Sequence, residues 1–352
     1  MLLFDTGWIG ASLRILLALV IVFGFFVYVL IYAERRVCAF IQDRLGPNRV
    51  GPFGLLQGLA DAVKFLFKEE VRPADAHPFL FFLAPALAIF PAVLAFAVVP
   101  FGARRIDGVL TPLAVANPDV GILFVLAIAS LSVFSILLAG WASRSKYPTL
   151  GGLRAAAQLI SYEVPLGITV LTVLLLAGSA RLSEIVAAQE VHGWFFILAP
   201  VACVIFLASM FAETNRLPFD LPEGEAEIIG YHAEYSSMKF AMFFMAEYAN
   251  MVTVSSLAVL LFFGGWEFLP YYGWDRVSAN LGIDLYGDPW LWIVPTLWFF
   301  SKVTAFLFFF IWVRWTLPRI RYDQLMVLGW KRLIPLSAIS LALTAWIVAV
   351  GM

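Results

Sequence analysis

Eight uninterrupted apolar runs, each about the length needed to cross a lipid hydrocarbon core, govern what this chain can fold into. They lie at approximately Leu13–Tyr32, Phe79–Val99, Val120–Trp141, Leu153–Ala177, Trp194–Ala212, Phe240–Phe263, Trp290–Val313 and Leu333–Val350. A core roughly 30 Å thick needs about 20 apolar residues in helical form. The runs are continuous rather than alternating, so they predict helices and not strands of a barrel. With 62% of the 352 residues hydrophobic and 13% charged, a soluble domain could not cover such a surface. The expected fold is an all-α integral membrane protein, one transmembrane domain over residues 1–352 with about eight transmembrane helices. Pro165 is expected to kink the fourth helix, whose start also holds Gln158 and Glu163, and Pro85 and Pro91 the second. The first run is too long for a signal-peptide core. It leads into Glu34-Arg35-Arg36 rather than a small-residue cleavage site, so it reads as a retained helix.

Orientation follows from the basic residues. Of the 23 Lys and Arg, 17 fall in the first, third, fifth and seventh loops and four (Arg104, Arg105, Arg181 and Arg276) in the even loops. The positive-inside rule puts the odd loops in the cytoplasm and both termini on the outer side.

Two cytoplasmic loops stand apart. Residues 33–78 hold GPNRVGPFG (Gly46–Gly54), a Gly/Pro-rich turn region, followed by Gln57, Asp61, Lys64 and Lys68 at spacings of one helix face. An amphipathic helix lying in the cytoplasmic membrane interface is expected there. Residues 213–239 carry Glu213, Asp220, Glu223, Glu225, Glu227 and Glu234 against Arg216 and Lys239, an acidic segment on an otherwise basic side.

Charges inside apolar runs cost ~2.5–3.5 kcal/mol on insertion scales and mark function by default. Glu163, Glu213, Glu247 and Lys302 are such residues. Glu213 ends its span, where it could simply snorkel or pair. Glu247 lies eight residues beyond Lys239, about 12 Å along a helix axis, too deep to snorkel easily. A chain of such groups suits proton relay. Cys38 and Cys203 form no CxxC pair, and His77, His192 and His232 are too scattered for haem or zinc. No Gly-rich phosphate-binding fingerprint is present, so no catalytic or metal-ligating residue and no bound cofactor is expected on this chain.

Four segments together carry a resemblance: AERRVCAFIQDRLGPNRVGPFGLLQGLADAVKFLFKEE (Ala33–Glu70), QLISYEVPLG (Gln158–Gly167), FAETNRLPFDLPEGEAEIIGYHAEY (Phe211–Tyr235) and FFMAEYANM (Phe243–Met251). In this order they resemble the quinone-site membrane subunit of bacterial NADH:quinone oxidoreductase (respiratory complex I), the family called NADH dehydrogenase subunit 1 in mitochondria. The likeness runs across essentially the whole chain, although Gly264–Asp288 carries little of it.

The resemblance implies a subunit without redox centres in a proton-translocating NADH:quinone reductase. NADH, FMN and iron–sulfur clusters would belong to partner subunits, with quinone as substrate. Glu34, Arg35, Arg36, Asp61 and Lys64 would line the passage for the quinone tail. Arg216, Asp220, Glu223, Glu225 and Glu227 would shape the headgroup end of the chamber. Glu163, Glu213, Glu234 and Glu247, with Lys302 added from its depth in the seventh span, would form the relay. Implied partners are the peripheral-arm iron–sulfur and quinone-site subunits, the small and antiporter-like membrane subunits, and membrane lipids, but no nucleic acid. The location would be the bacterial inner (plasma) membrane, or the mitochondrial inner membrane for an organellar chain. Three alternatives compete. A secondary ion transporter suits the buried charges but would be expected to show an internal repeat. A self-sufficient membrane oxidoreductase needs histidines inside spans. A membrane subunit of a related respiratory hydrogenase is the nearest, and the EGEAEI-containing loop favours the quinone enzyme over it.

Overall fold

The computed structural model describes residues 7–106, 109–220, 223–224, 229–271, 273–282, 284–288 and 290–351. Helices α1 (Trp8–Leu19) and α2 (Tyr28–Ile41) run on through a wider, π-type segment at Val20–Val27. The first crossing is therefore longer than its apolar run. Glu34, Arg35 and Arg36 sit on α2 rather than in a loop, because no Gly or Pro lies between Gly24 and Gly46.

The GPNRVGPFG stretch then turns back toward α2. Gly54 has φ +80°, and a Cβ there would lie 2.2 Å from the Pro47 carbonyl oxygen, so only glycine fits this turn. It leads into α3 (Gln57–Phe67), which buries no residue of its own and exposes Leu59, Val63, Leu66 and Phe67. A helix thus stands where the amphipathic one is expected, with Asp61 turned toward Arg35 of α2. Lys68 lies just past its end in extended backbone, off the predicted face.

The remaining crossings are α4 (Pro78–Ala97), α5 (Gly121–Ala142), α6 (Lys146–Ala177), α10 (Ser237–Phe262), α12 (Ile293–Thr316) and the final pair α13 (Tyr322–Val327) and α14 (Ile334–Gly351). The prolines of α4 and α6 lie inside continuous helix. Among the described residues seven helical stretches are long and apolar enough to cross a membrane. The fifth apolar run differs from expectation. It divides into a short turn of helix, α8 (Phe195–Leu198), and α9 (Pro200–Glu213). Pro200 supplies no N–H to continue the ladder and forces Ala199 out of the helical region, to φ −132° and ψ 63°. At 14 residues, α9 spans about 21 Å, short of a full hydrocarbon core.

Short elements join the crossings: the hairpin β1 (Ala103–Ile106) with β2 (Val109–Pro112), then α7 (Leu182–His192) and α11 (Trp274–Leu281). A two-residue pairing of β3 (Glu223–Gly224) with β4 (Ile229–Gly230) lies in the acidic loop. Helix α10 is the central post. In its most apolar stretch 78% of residues are buried inside the protein, against 22% for Tyr322–Val350. It packs on α4, α12 and the π-type segment, while α5 lies between α4 and α6. Helices α5 and α6 meet closely at Gly140, where a Cβ would stand 2.5 Å from the Pro148 carbonyl oxygen.

Candidate functional site

Three polar regions converge on α10. The first is an ion cluster where α2, α10, α12 and the segment after α9 meet. Gln158 of α6 holds that segment in place, donating through Nε2 to the Ala212 carbonyl at 2.8 Å and to Asn215 Oδ1 at 3.2 Å. The chain can then turn at Asn215, which has φ +50°, and direct Arg216 inward, where it is 5% exposed. The guanidinium lies 3.6 Å from Glu34 Oε1 and 3.8 Å from Glu247 Oε2, and 4.4 Å over the Tyr248 ring. Glu34 is buried and also accepts from Arg314 and, at 2.7 Å, from the Tyr248 hydroxyl. Glu247 accepts from the Tyr231 hydroxyl at 2.9 Å. Each carboxylate thus has both a cation and a phenol, as burial of a charge demands. Arg319 pairs with Asp220 at 3.3 Å beside this cluster.

A cavity of about 500 Å³ opens next to it, lined by Glu34, Arg35, Cys38, Arg44, Gly46, Pro47, Phe244, Tyr248, Arg314 and Trp315. The lining combines aromatic side chains with guanidinium and carboxylate groups, the mixture expected of a site for a largely apolar ligand with a polar head. Around the corner, Arg35 binds Asp61 of α3 at 2.5 Å, with Lys64 at 3.8 Å from the same carboxylate.

The second region runs from this cluster into the bundle. A cavity of about 30 Å³ is bordered by Glu247, Tyr231, Asn250, Ser132, Ser135 and Glu213. A cavity of about 40 Å³ follows, bordered by Glu213, Asn250, Ser132, Thr253 and Glu163. Either volume suffices for water where polar partners exist. Glu213, Ser132 and Asn250 border both, so Glu213 is the joint between them. Its Oε2 is buried without a hydrogen-bond partner among the described residues, whereas Glu163 accepts from the Ser130 hydroxyl.

The third region closes the far end of α10. Lys302 Nζ donates to the carbonyls of Phe263 (2.9 Å), Gly265 (3.0 Å) and Glu267 (2.7 Å), with the Trp194 ring 4.7 Å away. The Glu267 side chain accepts from the Tyr286 hydroxyl at 2.6 Å and the Trp274 amide at 3.1 Å. Burial pushes the Glu267 carboxyl up to about 7 and raises that of Glu190 as well. The hairpin is tied to this cap by Arg105, which pairs with Asp275 at 2.7 Å and Asp284 at 3.3 Å.

The structure therefore brings Glu34, Arg216 and Glu247 into one cluster, and joins Glu247, Glu213 and Glu163 through shared cavities. Arg35 of α2 with Asp61 and Lys64 of α3 forms the charged contact between those two helices. Arg36 donates instead to the Pro47 carbonyl at 3.1 Å and holds the turn. Glu234 is half-buried and borders neither cavity. Lys302 binds the Phe263 carbonyl, about 24 Å along the α10 axis from Glu247, and belongs to the far cap. Of Glu223 the backbone alone is described, paired with Gly230, and Glu225 and Glu227 lie outside the described residues. Among the described residues no cluster of His, Cys, Asp and Glu could hold a metal.

Sequence reasoning misses Arg314, Tyr248, Tyr231 and Ser130, and the whole cap around Glu267. Arg314 reads only as a basic loop residue; its place directly after an apolar run is the available signal. A buried arginine there needs an acid, and Glu34 is 280 positions away.

The family model described as NADH dehydrogenase matches residues 13–345. The first of the NADH-quinone oxidoreductase H subunits of Geobacter metallireducens is 52% identical over 320 residues, covering 90% of each chain. The second of those of Geobacter sulfurreducens is 52% identical over 322 residues, again with 90% of each covered. The NADH-quinone oxidoreductase H subunit of Ehrlichia chaffeensis is 48% identical over 351 residues, covering 97% of this chain and 89% of that one. With its membrane-length helices and this agreement along nearly its whole length, the chain belongs to the NADH dehydrogenase family, as a membrane subunit of the complex I kind.

Proposed function

We propose that this chain forms the membrane side of the quinone chamber in a proton-translocating NADH:quinone oxidoreductase and starts the coupling path to its pumping subunits. The observation that carries the reading is the continuity of the 500 Å³ cavity, through the Glu34–Arg216–Glu247 cluster, with the two cavities joined by Glu213. A quinone is apolar along its tail and polar at its head, which suits a lining of aromatic and charged side chains. The tail enters past Asp61, where α3 flanks the passage with the first and sixth spans, and the headgroup end is completed by Asp220 and the acidic loop holding Glu223, Glu225 and Glu227. NADH, FMN and iron–sulfur clusters reside in peripheral-arm partners that dock on this face. Antiporter-like and small membrane subunits take up the signal beyond Glu163.

The coupling is electrostatic. Quinone reduction consumes protons, and a change of charge in the chamber alters the field on Arg216. Arg216 is shared by Glu34 and Glu247, so its redistribution passes to Glu247 and through water-sized spaces to Glu213 and Glu163. Glu234 and Lys302 are not members of this path. The chamber faces the cytoplasm of the bacterial inner membrane, with both termini on the periplasmic side.

Two measurements test the reading. Mild purification through a tag on this chain should bring a flavin- and iron–sulfur-containing arm that reduces quinone with NADH. A chain that emerges alone and moves ions in liposomes defeats the proposal in favour of a transporter. Glu247→Gln should then leave the complex assembled while depressing quinone turnover and pumping. Unchanged activity and unchanged pumping would falsify the relay.

A further inference from the structure

Helix α3 contributes no buried residue, so something other than its own packing must hold it against the body. At its start, Tyr32 donates to the Phe53 carbonyl at 2.8 Å, and Tyr28 to that of Leu55. In its middle the attachment is Arg35–Asp61. At its end the attachment is made by the first residues of α10. Ser237 Oγ lies 2.9 Å from the Phe65 carbonyl oxygen and 2.8 Å from that of Lys68. Ser236 Oγ accepts from the Val71 amide at 2.9 Å, and Lys239 pairs with Glu70 at 2.5 Å.

Ser237 is unusual within this set. It is buried and has φ +56°, a left-handed conformation strained for any residue with a Cβ. The Phe65 carbonyl is one of the four that the end of α3 leaves without an intrahelical donor. A hydroxyl 172 positions away thus caps α3 at the point where the helix leaves the interface. Helix α10 is the most buried crossing, so it serves as a fixed post for the exposed one.

We propose that Ser237 is a positioning residue for passage of the quinone tail: by fastening the end of α3 to α10, it holds the entrance that α3 flanks at the width the tail requires. This rests on the quinone-chamber reading above. Without the hydroxyl, α3 samples detached positions, and the fraction of molecules competent to admit a tail falls. Apparent affinity falls by the same fraction. The chemistry at the headgroup end is untouched, so kcat is unaffected once the chamber is filled.

The experiment uses the purified whole complex in proteoliposomes, with one quinone headgroup carrying either a full-length isoprenoid tail or a short alkyl chain. Ser237→Ala is expected to raise KM for the long-tailed quinone roughly three- to tenfold, the effect of one or two lost hydrogen bonds. For the short-chain quinone, KM and kcat are expected to stay within about twofold of the parent. Should the alanine variant assemble poorly, Ser237→Gly relieves the left-handed strain while still lacking the hydroxyl, and the same selective rise is expected. Equal KM changes for both quinones, or no change in an assembled glycine or alanine variant, overturns the proposal. If the parent complex itself reduces neither quinone, the chamber reading falls instead.

Discussion

Lys302→Met separates two roles that this lysine could hold, and the structure supplies the magnitude. Lys302 lies nine residues inside α12, about 14 Å from its start, where an ammonium is costly. It is retained by three carbonyls past the end of α10, at 2.7–3.0 Å. Methionine has nearly the same reach but no donor. The Glu267 carbonyl keeps the Trp298 indole N–H at 3.1 Å, so the variant strips Phe263 and Gly265 of the donor that Lys302 supplied. Two buried acceptors left unpaired cost about 2–6 kcal/mol, and relief of the ammonium's own desolvation offsets part of it. A net loss of ~2–4 kcal/mol corresponds to a fall of about 3–5 °C in the unfolding midpoint of a chain this size. The assay is thermal inactivation of the detergent-purified complex, with proton-to-electron stoichiometry measured on the surviving fraction. A lowered midpoint with unchanged stoichiometry is expected. An unchanged midpoint with abolished pumping would refute the capping argument and return Lys302 to the relay.

Arg216→Met leaves Glu34 and Glu247 facing one another without the cation between them, so the assembled yield should drop as for a loss of about 3–5 kcal/mol. Adding Glu247→Gln should restore part of it, and a strictly additive double variant would show that the two do not interact. Glu267 titrates higher folded (about 7) than unfolded, so its stabilising contribution is full below the unfolded carboxyl range and fades as pH rises through about 7. Thermal stability should therefore decline across that window, and Glu267→Gln should flatten the decline; a parallel slope in the variant sinks this assignment. Asp61→Asn removes a pair whose arginine is 44% exposed, so stability should change by less than about 1 kcal/mol. Bulky residues at Asp61 should nonetheless raise the quinone KM, whereas a change confined to assembled yield would make the residue structural.

The crossings are legible because lipid imposes a length and a composition on each of them, and seven of the eight runs are full-length helices. The fifth run reads as one helix since its composition is apolar throughout; Pro200 is visible in it, but the break at the Ala199 junction is not. Depth makes Glu163, Glu213 and Glu247 stand out, since a carboxylate inside an apolar run is costly whatever surrounds it. What depth cannot give is partnership. Glu247 and Lys302 look alike as charges in spans, yet one meets Arg216 and the other closes the opposite end of the same helix. The pairings Glu34–Arg314 and Arg319–Asp220 join residues far apart in the chain, and no local periodicity encodes them. Gly264–Asp288 reads as empty since it lacks a long apolar run. Its described residues instead form a packed cap that buries Trp266, Glu267 and Tyr286, bonded within itself and also to Lys302, Trp298 and Arg105 from other segments.

The fastening of α10 at both ends restricts how a signal can travel along it. Its N-terminal end is tied through Ser236, Ser237 and Lys239 to the segment after α3, and its C-terminal end through Lys302 and Gln189, the latter donating to the Leu260 carbonyl at 2.7 Å. Sliding α10 by one turn, about 5.4 Å, would break every one of these bonds at once. The middle of the helix is built differently: Glu247 and Asn250 border cavities, and Arg216 reaches two carboxylates at distances beyond tight hydrogen bonding. The contents of water-sized spaces and the sharing of one guanidinium between two carboxylates can change there without movement of the helix. A helix clamped at its ends and bordered by small cavities at its charges is suited to passing a redistribution of charge and hydration, and ill-suited to acting as a piston. Coupling through this subunit should therefore persist when α10 is cross-linked to α12 near Lys302, and it should fail when the cavities beside Glu213 are filled with larger apolar side chains.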